Sequence, residues 1–171
     1  MSAADVADPA RARFLAAYRG LFEHSPWVVE RAWAKRPFAD RAALHAAFMA
    51  VLEQASEAER LALVRAHPQL ADKAAIAAGL TAESASEQAG AGLDRLTPEE
   101  FEQFHAYNRA YLDRFGFPFI VCVRLHDKAG ILELMRRRLE GERDAELAEA
   151  ILQVGLISRF RLDDAWAEDA A

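Results

Sequence analysis

The chain has 171 residues, of which 53% are hydrophobic and 28% charged, and its formal net charge is -6. Arginines are interleaved with acids and form no basic block, which argues against a nucleic-acid ligand, while the single cysteine, Cys122, excludes an intrachain disulfide and any paired-cysteine redox or zinc site. No apolar run approaches the roughly 20 residues that span a bilayer, and no secretory signal is visible, so we expect a cytoplasmic protein without a membrane partner.

Helix start signals recur through the first third of the chain. Asp8-Pro9 joins a capping acceptor to a proline at the first helical position, and Ser25-Pro26 opens a second, short helix. That helix must end before Pro37, because the residue preceding a proline avoids the helical region. Asp40 caps a third predicted helix, and the capping box Ser56-x-x-Glu59 opens a fourth.

The same signals continue through the second half. Thr97-Pro98-Glu99-Glu100 combines an N-cap, a proline and a capping-box glutamate, and Gly116 is suited to a left-handed helix stop. Asp127 opens a helix through Leu139, and a last long helix runs from about Glu142 to Asp164. The sequence therefore predicts one all-α domain over residues 1–171, a bundle of about seven to nine helices.

Two segments do not fit a helical interpretation. Residues 67–83 contain a His-Pro break, and residues 115–126 are apolar but contain Gly116 and Pro118. Their one alternating stretch, Phe117–Arg124, is too short and isolated to form a sheet. Buried backbone outside regular structure must find hydrogen-bond partners, and a bound ligand is one of these. We therefore expect a non-helical apolar segment near 115–126 and regard it as the better functional candidate.

His67 is the first candidate for chemistry. Pro68 keeps it out of the helical region, so its ring lies at a helix exit where it can point into a cleft. An imidazole titrates near neutrality and can give or take a proton at working pH. A helix-ending histidine packed on its neighbours is the alternative, and the sequence leaves both open.

Ser84, Glu87 and Gln88 are spaced i, i+3 and i+4, which places them on one face if residues 84–92 are helical. Ser84-x-x-Glu87 is also a capping box, in which both side chains only close a helix start. A capping box does not explain the amide of Gln88. Free N–H groups at a helix start, together with a serine hydroxyl, can also hold a carbonyl or carboxylate.

Arg161 lies in the apolar last helix, two residues after Arg159, so one of the two arginines should point inward. A buried guanidinium is costly without a partner, which would be Glu87 or a ligand. The alternative is a solvated arginine beside an aspartate. The histidines show no metal-binding spacing, so we expect no metal.

Taken together, four strings resemble the OHCU decarboxylase family: His67-Pro68-x-Leu70, Leu80-Thr81-x-x-Ser84-x-x-Glu87-Gln88-x-x-x-Gly92-Leu93, Asn108-x-x-Tyr111-x-x-x-Phe115-Gly116-Phe117-Pro118-Phe119-Ile120 and Arg161-Leu162-x-Asp164. Members act on 2-oxo-4-hydroxy-4-carboxy-5-ureidoimidazoline in urate (purine) catabolism. The resemblance spans nearly the whole chain. It implies an all-helical carboxy-lyase that forms (S)-allantoin without a cofactor, and it is compatible with a homodimer.

The resemblance also assigns residues. It implies that His67 and Glu87 are catalytic and that the substrate, a small ureidoimidazoline, is bound by Pro68, Ser84, Gln88, Phe119, Ile120, Val121, Cys122, Val123 and Arg161. The chain departs from the family pattern at two places. Many members have Asp and Gly where this chain has Gln69 and Ala71, and many have Gly where it has Leu125. We expect the first departure to alter the local turn beside His67, and neither departure changes the reactive groups.

The alternatives are another small helical decarboxylase, a peroxidase and a non-catalytic binding module. A peroxidase of the carboxymuconolactone type uses paired cysteines, and a lone Cys122 argues against it. A non-catalytic helical binding module stays open, and it would leave the substrate decaying at the rate seen in buffer.

Overall fold

The computed structural model describes residues 8–72 and 80–169, and these form helices without any β-strand. Within these two stretches there are eight α-helices: α1 Pro9–Tyr18, α2 Trp27–Ala32, α3 Arg41–Gln54, α4 Glu57–Arg65, α5 Ala82–Gly90, α6 Pro98–Phe115, α7 Lys128–Arg138 and α8 Arg143–Asp169. Single 3-10 turns occur at Arg19–Leu21, Trp33–Lys35 and Val123–Leu125. The all-α prediction is confirmed. Part of the predicted break at 67–83 lies outside the described residues.

Five of the described helices, α1, α3, α4, α6 and α7, begin where the capping signals place them. The Asp8 carboxylate accepts from the N–H of Ala10 at 2.9 Å, and that of Asp40 accepts from Ala43 at 2.7 Å. Before α6, Thr97 and Glu100 form the reciprocal capping box. Each such contact satisfies an N–H group that has no partner within its own helix, which is why these short polar motifs predicted the boundaries well.

The chain divides into two compact units, residues 1–63 with 155–171 and residues 64–154. The single-domain assignment therefore stays a prediction. In the first unit, α2 and α3 pack together around Phe22 and Phe48, whose rings meet edge to face at 5.5 Å. Both rings are buried, along with Leu44 and Leu52 on the inner face of α3.

The second unit is built around the C-terminal half of α6. The Tyr111 ring lies 4.6 Å from that of Phe115 and 5.4 Å from that of Phe119, the latter nearly perpendicular. These rings and Phe117 are buried, so the chain that follows α6 supplies as much of the core as the helix does. Aromatic contacts of this geometry stabilise by about 1 kcal/mol each beyond the area they bury.

Gly116 turns the chain out of α6 into the apolar segment. Its φ of 78° is the left-handed conformation that favours glycine, and its N–H donates to the Leu112 carbonyl at 2.8 Å. The chain then runs without helix to Cys122 and makes one 3-10 turn at Val123–Leu125. This matches the predicted non-helical segment, with that short turn as the departure. Within the described residues, no helix is long and apolar enough to cross a membrane.

Candidate active site

The apolar segment 117–122 is buried and is fixed by side chains from three different helices. Arg65 donates to the Gly116 carbonyl at 2.9 Å, and Arg138 donates to the Ile120 carbonyl at 2.8 Å. The N–H of Cys122 donates to the Gln153 side chain at 2.9 Å. Because these groups satisfy part of the main chain, the segment is held in place although it has no regular hydrogen-bond pattern.

The loop containing His67 follows directly on α4. The N–H of His67 donates to the Val64 carbonyl at 3.2 Å, and its side chain is buried. Further along the loop, the Asn108 amide donates to the Leu70 carbonyl at 2.8 Å, and the N–H of Ala71 donates to Gln88 Oε1 at 3.0 Å. Two amides, one from α6 and one from α5, thus hold the loop at its far end.

Ala71 adopts a φ of 56°, in the left-handed region. An alanine in this conformation costs about 1 kcal/mol or more relative to glycine. A glycine, which the family resemblance leads us to expect here, would adopt this conformation without that cost. The Ala71 N–H and Gln88 bond is part of what holds the conformation.

The start of α5 rules out the capping box that the sequence allowed for Ser84 and Glu87. Thr81 is the N-cap, and its hydroxyl accepts from the N–H of Ser84 at 3.3 Å. Ser84 is therefore the third residue of the helix and Glu87 the sixth, so the capping-box interpretation of these two residues is wrong. Ser84 and Gln88 are buried on one face of α5, as the i, i+4 spacing predicts.

Glu87 connects α5 to the end of the apolar segment. Its carboxylate lies 3.6 Å from the guanidinium of Arg124, which belongs to the 3-10 turn. The Glu87 side chain is buried, and that of Arg124 is about one-third exposed. Together with the bond between Ala71 and Gln88, this contact brings the His67 loop, the polar face of α5 and the apolar segment into one region of the second unit.

The orientation of the Gln88 amide has a chemical consequence. Its oxygen already accepts from the N–H of Ala71, so its NH2 group is the part left to donate. A donor of this kind suits a carbonyl oxygen of a small heterocycle. Asn108 is not among the predicted site residues, although its position in the apolar stripe of α6 is typical of a buried amide.

Arg161 lies in the first unit. Its Nη1 donates to Glu23 Oε2 and to the Gly20 carbonyl, both at 3.2 Å. The two side chains are 4% and 1% exposed, whereas Arg159 is exposed. The prediction that one of these arginines points inward is confirmed. Glu23 is a partner that sequence analysis missed, although an acid following Leu21-Phe22 in an apolar stretch was a signal for it.

A second buried charge pair, also missed, lies beside the apolar segment. Arg138 Nε donates to Glu146 at 2.8 Å, and the Tyr111 hydroxyl donates to the same carboxylate. Burial raises the pKa of the Tyr111 hydroxyl, so it stays protonated and acts as a donor. Three arginines follow one another at positions 136–138, and only the fold shows that the third turns inward.

In the part of the chain that the structure describes, no three His, Cys, Asp or Glu side chains gather as a metal site would require. The elements joined in this region carry one imidazole, one carboxylate, one amide and one hydroxyl, and they adjoin the buried apolar segment. Such a set can bind a small polar ring and transfer protons.

Comparison with known proteins gives a consistent result. The family model described as OHCU decarboxylase matches residues 8–163. The 2-oxo-4-hydroxy-4-carboxy-5-ureidoimidazoline decarboxylase of Halalkalicoccus jeotgali is 38% identical over 89% of this chain and 84% of its own length. The protein of the same name from Mus musculus is 33% identical over 88% of this chain and 85% of its own. A bifunctional uric acid degradation protein of Bacillus subtilis is 39% identical over 84% of this chain, which corresponds to 28% of that longer protein.

Among solved structures, an (S)-allantoin synthase has a TM-score of 0.70 and 28% identity. The match covers 94% of this chain and 52% of that one. An OHCU decarboxylase crystallised in the presence of (S)-allantoin has a TM-score of 0.69 over 88% of this chain and 96% of that one, at 19% identity, and supports the fold.

Proposed function

This chain belongs to the OHCU decarboxylase family, and we propose on that basis that it converts 2-oxo-4-hydroxy-4-carboxy-5-ureidoimidazoline to (S)-allantoin in urate catabolism. The observation that carries the proposal is the family match over residues 8–163, joined to relatives of that activity at 33–38% identity over most of the chain. The enzyme is a carboxy-lyase. A cytoplasmic location and a homodimer remain predictions, to be tested by cell fractionation and sedimentation.

The substrate supplies its own electron sink. When the bond to the carboxylate breaks, the electron pair moves toward the ring C=N adjacent to that carbon, and CO2 leaves. The hydroxyl on that carbon gives up its proton as it becomes a carbonyl, and the ring nitrogen takes one up. A further proton must be delivered from one face to the carbon that bears the ureido group, so that a single enantiomer forms. The protein's tasks are therefore to exclude water, to hold the ring in one orientation and to manage protons.

Water exclusion is assigned to the apolar segment. Phe117, Phe119 and Ile120 are buried in the second unit, and we assign to them the apolar wall of the substrate site. An apolar wall disfavours a charged carboxylate relative to neutral CO2, so it assists the step in which charge leaves the carboxyl group. The main chain of residues 119–123 is assigned to contact the ring, beside Pro68.

Ring orientation is assigned to α5. The free NH2 of Gln88 donates to a ring or ureido carbonyl, and the Ser84 hydroxyl, buried one helical turn earlier, supplies a second polar contact. Both residues lie on a regular helix that is capped by Thr81, so their positions are set before the substrate binds.

His67 is assigned the proton transfers. It would take the proton of the substrate hydroxyl and deliver one to the developing carbanion, with Glu87 orienting the imidazole. The loop that carries His67 is fixed by Asn108 and Gln88, which supports a defined ring position. Arg161 is better placed in chemical terms at the ureido or carbonyl side, because a salt bridge to the departing carboxylate would stabilise the ground state and slow the reaction.

The test uses substrate generated freshly from urate by the upstream enzymes, followed by circular dichroism with and without this protein. We expect fast formation of a single enantiomer, identified as (S)-allantoin by comparing its circular dichroism with that of a standard. His67→Ala should lower turnover by roughly 10²–10⁴-fold. His105→Ala, at an exposed position of α6, is the matched control and should leave turnover unchanged. Racemic product forming at the rate seen in buffer would favour the non-catalytic binding module.

A further inference from the structure

We propose that Arg138 is a positioning residue for this reaction: it holds the Ile120 carbonyl and thereby fixes the main chain of residues 119–123 against the substrate. The inference rests on the proposed function and extends it to a residue outside the assigned site. In this proposal Arg138 contacts the segment and not the substrate, so its effect on the reaction passes through the segment.

The geometry of the guanidinium supports this role. Nη1 donates to the Ile120 carbonyl and Nε to Glu146 Oε2, each at 2.8 Å, while Nη2 lies 3.3 Å from the Tyr111 hydroxyl. Its carbon lies 4.6 Å from the centre of the Phe119 ring. One planar group thus contacts the segment through both a carbonyl and a side chain, and three nitrogens point in fixed directions.

The charge of Arg138 is neutralised inside the protein. The side chains of Arg138 and Glu146 are each 9% exposed, and the Tyr111 hydroxyl gives the same carboxylate a second donor. A buried pair with satisfied hydrogen bonds contributes little net stability compared with apolar residues of similar size. Its stronger effect is to specify one arrangement of the groups it joins, here α7, α8 and the apolar segment.

The segment benefits from such a support because its main chain, between the end of α6 and the 3-10 turn, has no regular secondary structure. The Ile120 carbonyl and the Cys122 N–H are occupied by Arg138 and Gln153. Val121 lies between these two anchors and is buried, so the direction of its peptide groups is set on both sides. If the Ile120 anchor were lost, the groups assigned to the substrate would rotate, and a displacement of about 1 Å at a reacting centre can cost about 100-fold in rate.

The test compares three variants. Arg138→Met combined with Glu146→Gln removes both charges and leaves no ionised side chain of the pair unpaired. Arg138→Lys keeps a cation for Glu146 but lacks the planar fork that also reaches Ile120. Arg136→Met is the matched control, an arginine on the same helix that is 53% exposed and pairs with Glu133.

Three readouts separate positioning from a merely structural role: kcat/KM, the enantiomeric composition of the product, and hydrogen exchange of a peptide covering residues 117–124. For the double variant we expect kcat/KM to fall about 10- to 100-fold, the product to lose enantiomeric purity and exchange at 117–124 to accelerate. Arg138→Lys should restore folding stability but only part of kcat/KM. Arg136→Met should match the parent in all three.

A folded double variant with the parent's kcat/KM and enantiomeric composition would overturn the proposal, even if its stability were reduced. Should the double variant not fold, Arg138→Lys decides, since parental kinetics in that variant would show that the Ile120 anchor is dispensable. Failure of the proposed function is seen separately, because the parent protein would then produce no enantiomeric excess. The exchange measurement would still report whether Arg138 holds the segment.

Discussion

The contact between Arg161 and Glu23 allows a prediction in which stability and substrate binding can be measured apart. The change is Arg161→Met, which keeps an unbranched apolar stem of similar length but removes the charge. Glu23 is then left as a buried carboxylate, and the Gly20 carbonyl loses a donor.

The expected magnitude follows from the distance and the burial. At 3.2 Å the attraction between the two charges is about 5 kcal/mol for an effective dielectric constant of about 20. Both side chains are almost fully buried, so solvent screening is weak. Removing one partner of such a pair typically costs about 3–5 kcal/mol, most of it the penalty of the uncompensated charge. We therefore expect Arg161→Met to lower the free energy of unfolding by about 3–5 kcal/mol.

The assay is urea unfolding of a double-mutant cycle. Glu23→Gln added to Arg161→Met removes the isolated charge and should regain at least half of the lost stability. Kinetics of the double variant then report on substrate binding alone. If Arg161 has the substrate contact that we propose for it, KM should stay raised although stability has recovered.

Arg159→Met is the control, since Arg159 is exposed on the same helix and should change stability by no more than about 0.5 kcal/mol. A loss below about 1 kcal/mol for Arg161→Met, or no coupling between positions 161 and 23, would refute the reasoning. It would mean that other groups compensate the Glu23 carboxylate when the guanidinium is removed.

Three further predictions concern local structure. Thr81→Ala should lower the free energy of unfolding in urea by about 1 kcal/mol, because it removes the cap of α5. Ser84→Ala should lower it clearly less through the helix start. The reverse order would restore the capping-box interpretation of Ser84. Gly116→Ala should cost about 1 kcal/mol from backbone strain alone, since its φ is 78° and the nearest atom to an added methyl lies 3.7 Å away; an unchanged urea midpoint would contradict this. Burial lowers the pKa of His45 below 6.5, so the unfolded chain binds the proton more tightly than the folded protein does. The free energy of unfolding should therefore fall as the pH drops below about 6.5. His45→Gln should reduce that fall between about pH 7 and 5.

The sequence by itself determined the helices and most of their ends. Asp8, Asp40 and Thr97 each cap the helix that their position predicts, and Gly116 ends α6 in the left-handed conformation. These features depend on groups within four residues of one another, so local chemistry is enough to specify them. The order and spacing of the His-Pro, Ser-x-x-Glu-Gln and Gly-Phe-Pro strings likewise identified the family.

Tertiary structure decided which polar side chains are buried and what they bond. Ser84 and Glu87 matched a capping box in sequence, and only the earlier start of α5 at Ala82 showed that Thr81 has that role. Arg161 and its partner Glu23 are separated by 138 positions in the chain, whereas Arg138 and its partner Glu146 are separated by 8. The pair of Arg161 and Glu23 is set by long-range packing. The pair of Arg138 and Glu146 depends on which face of the charged helix α7 packs against the core. Both depend on the tertiary fold, because each buried charge must have a partner.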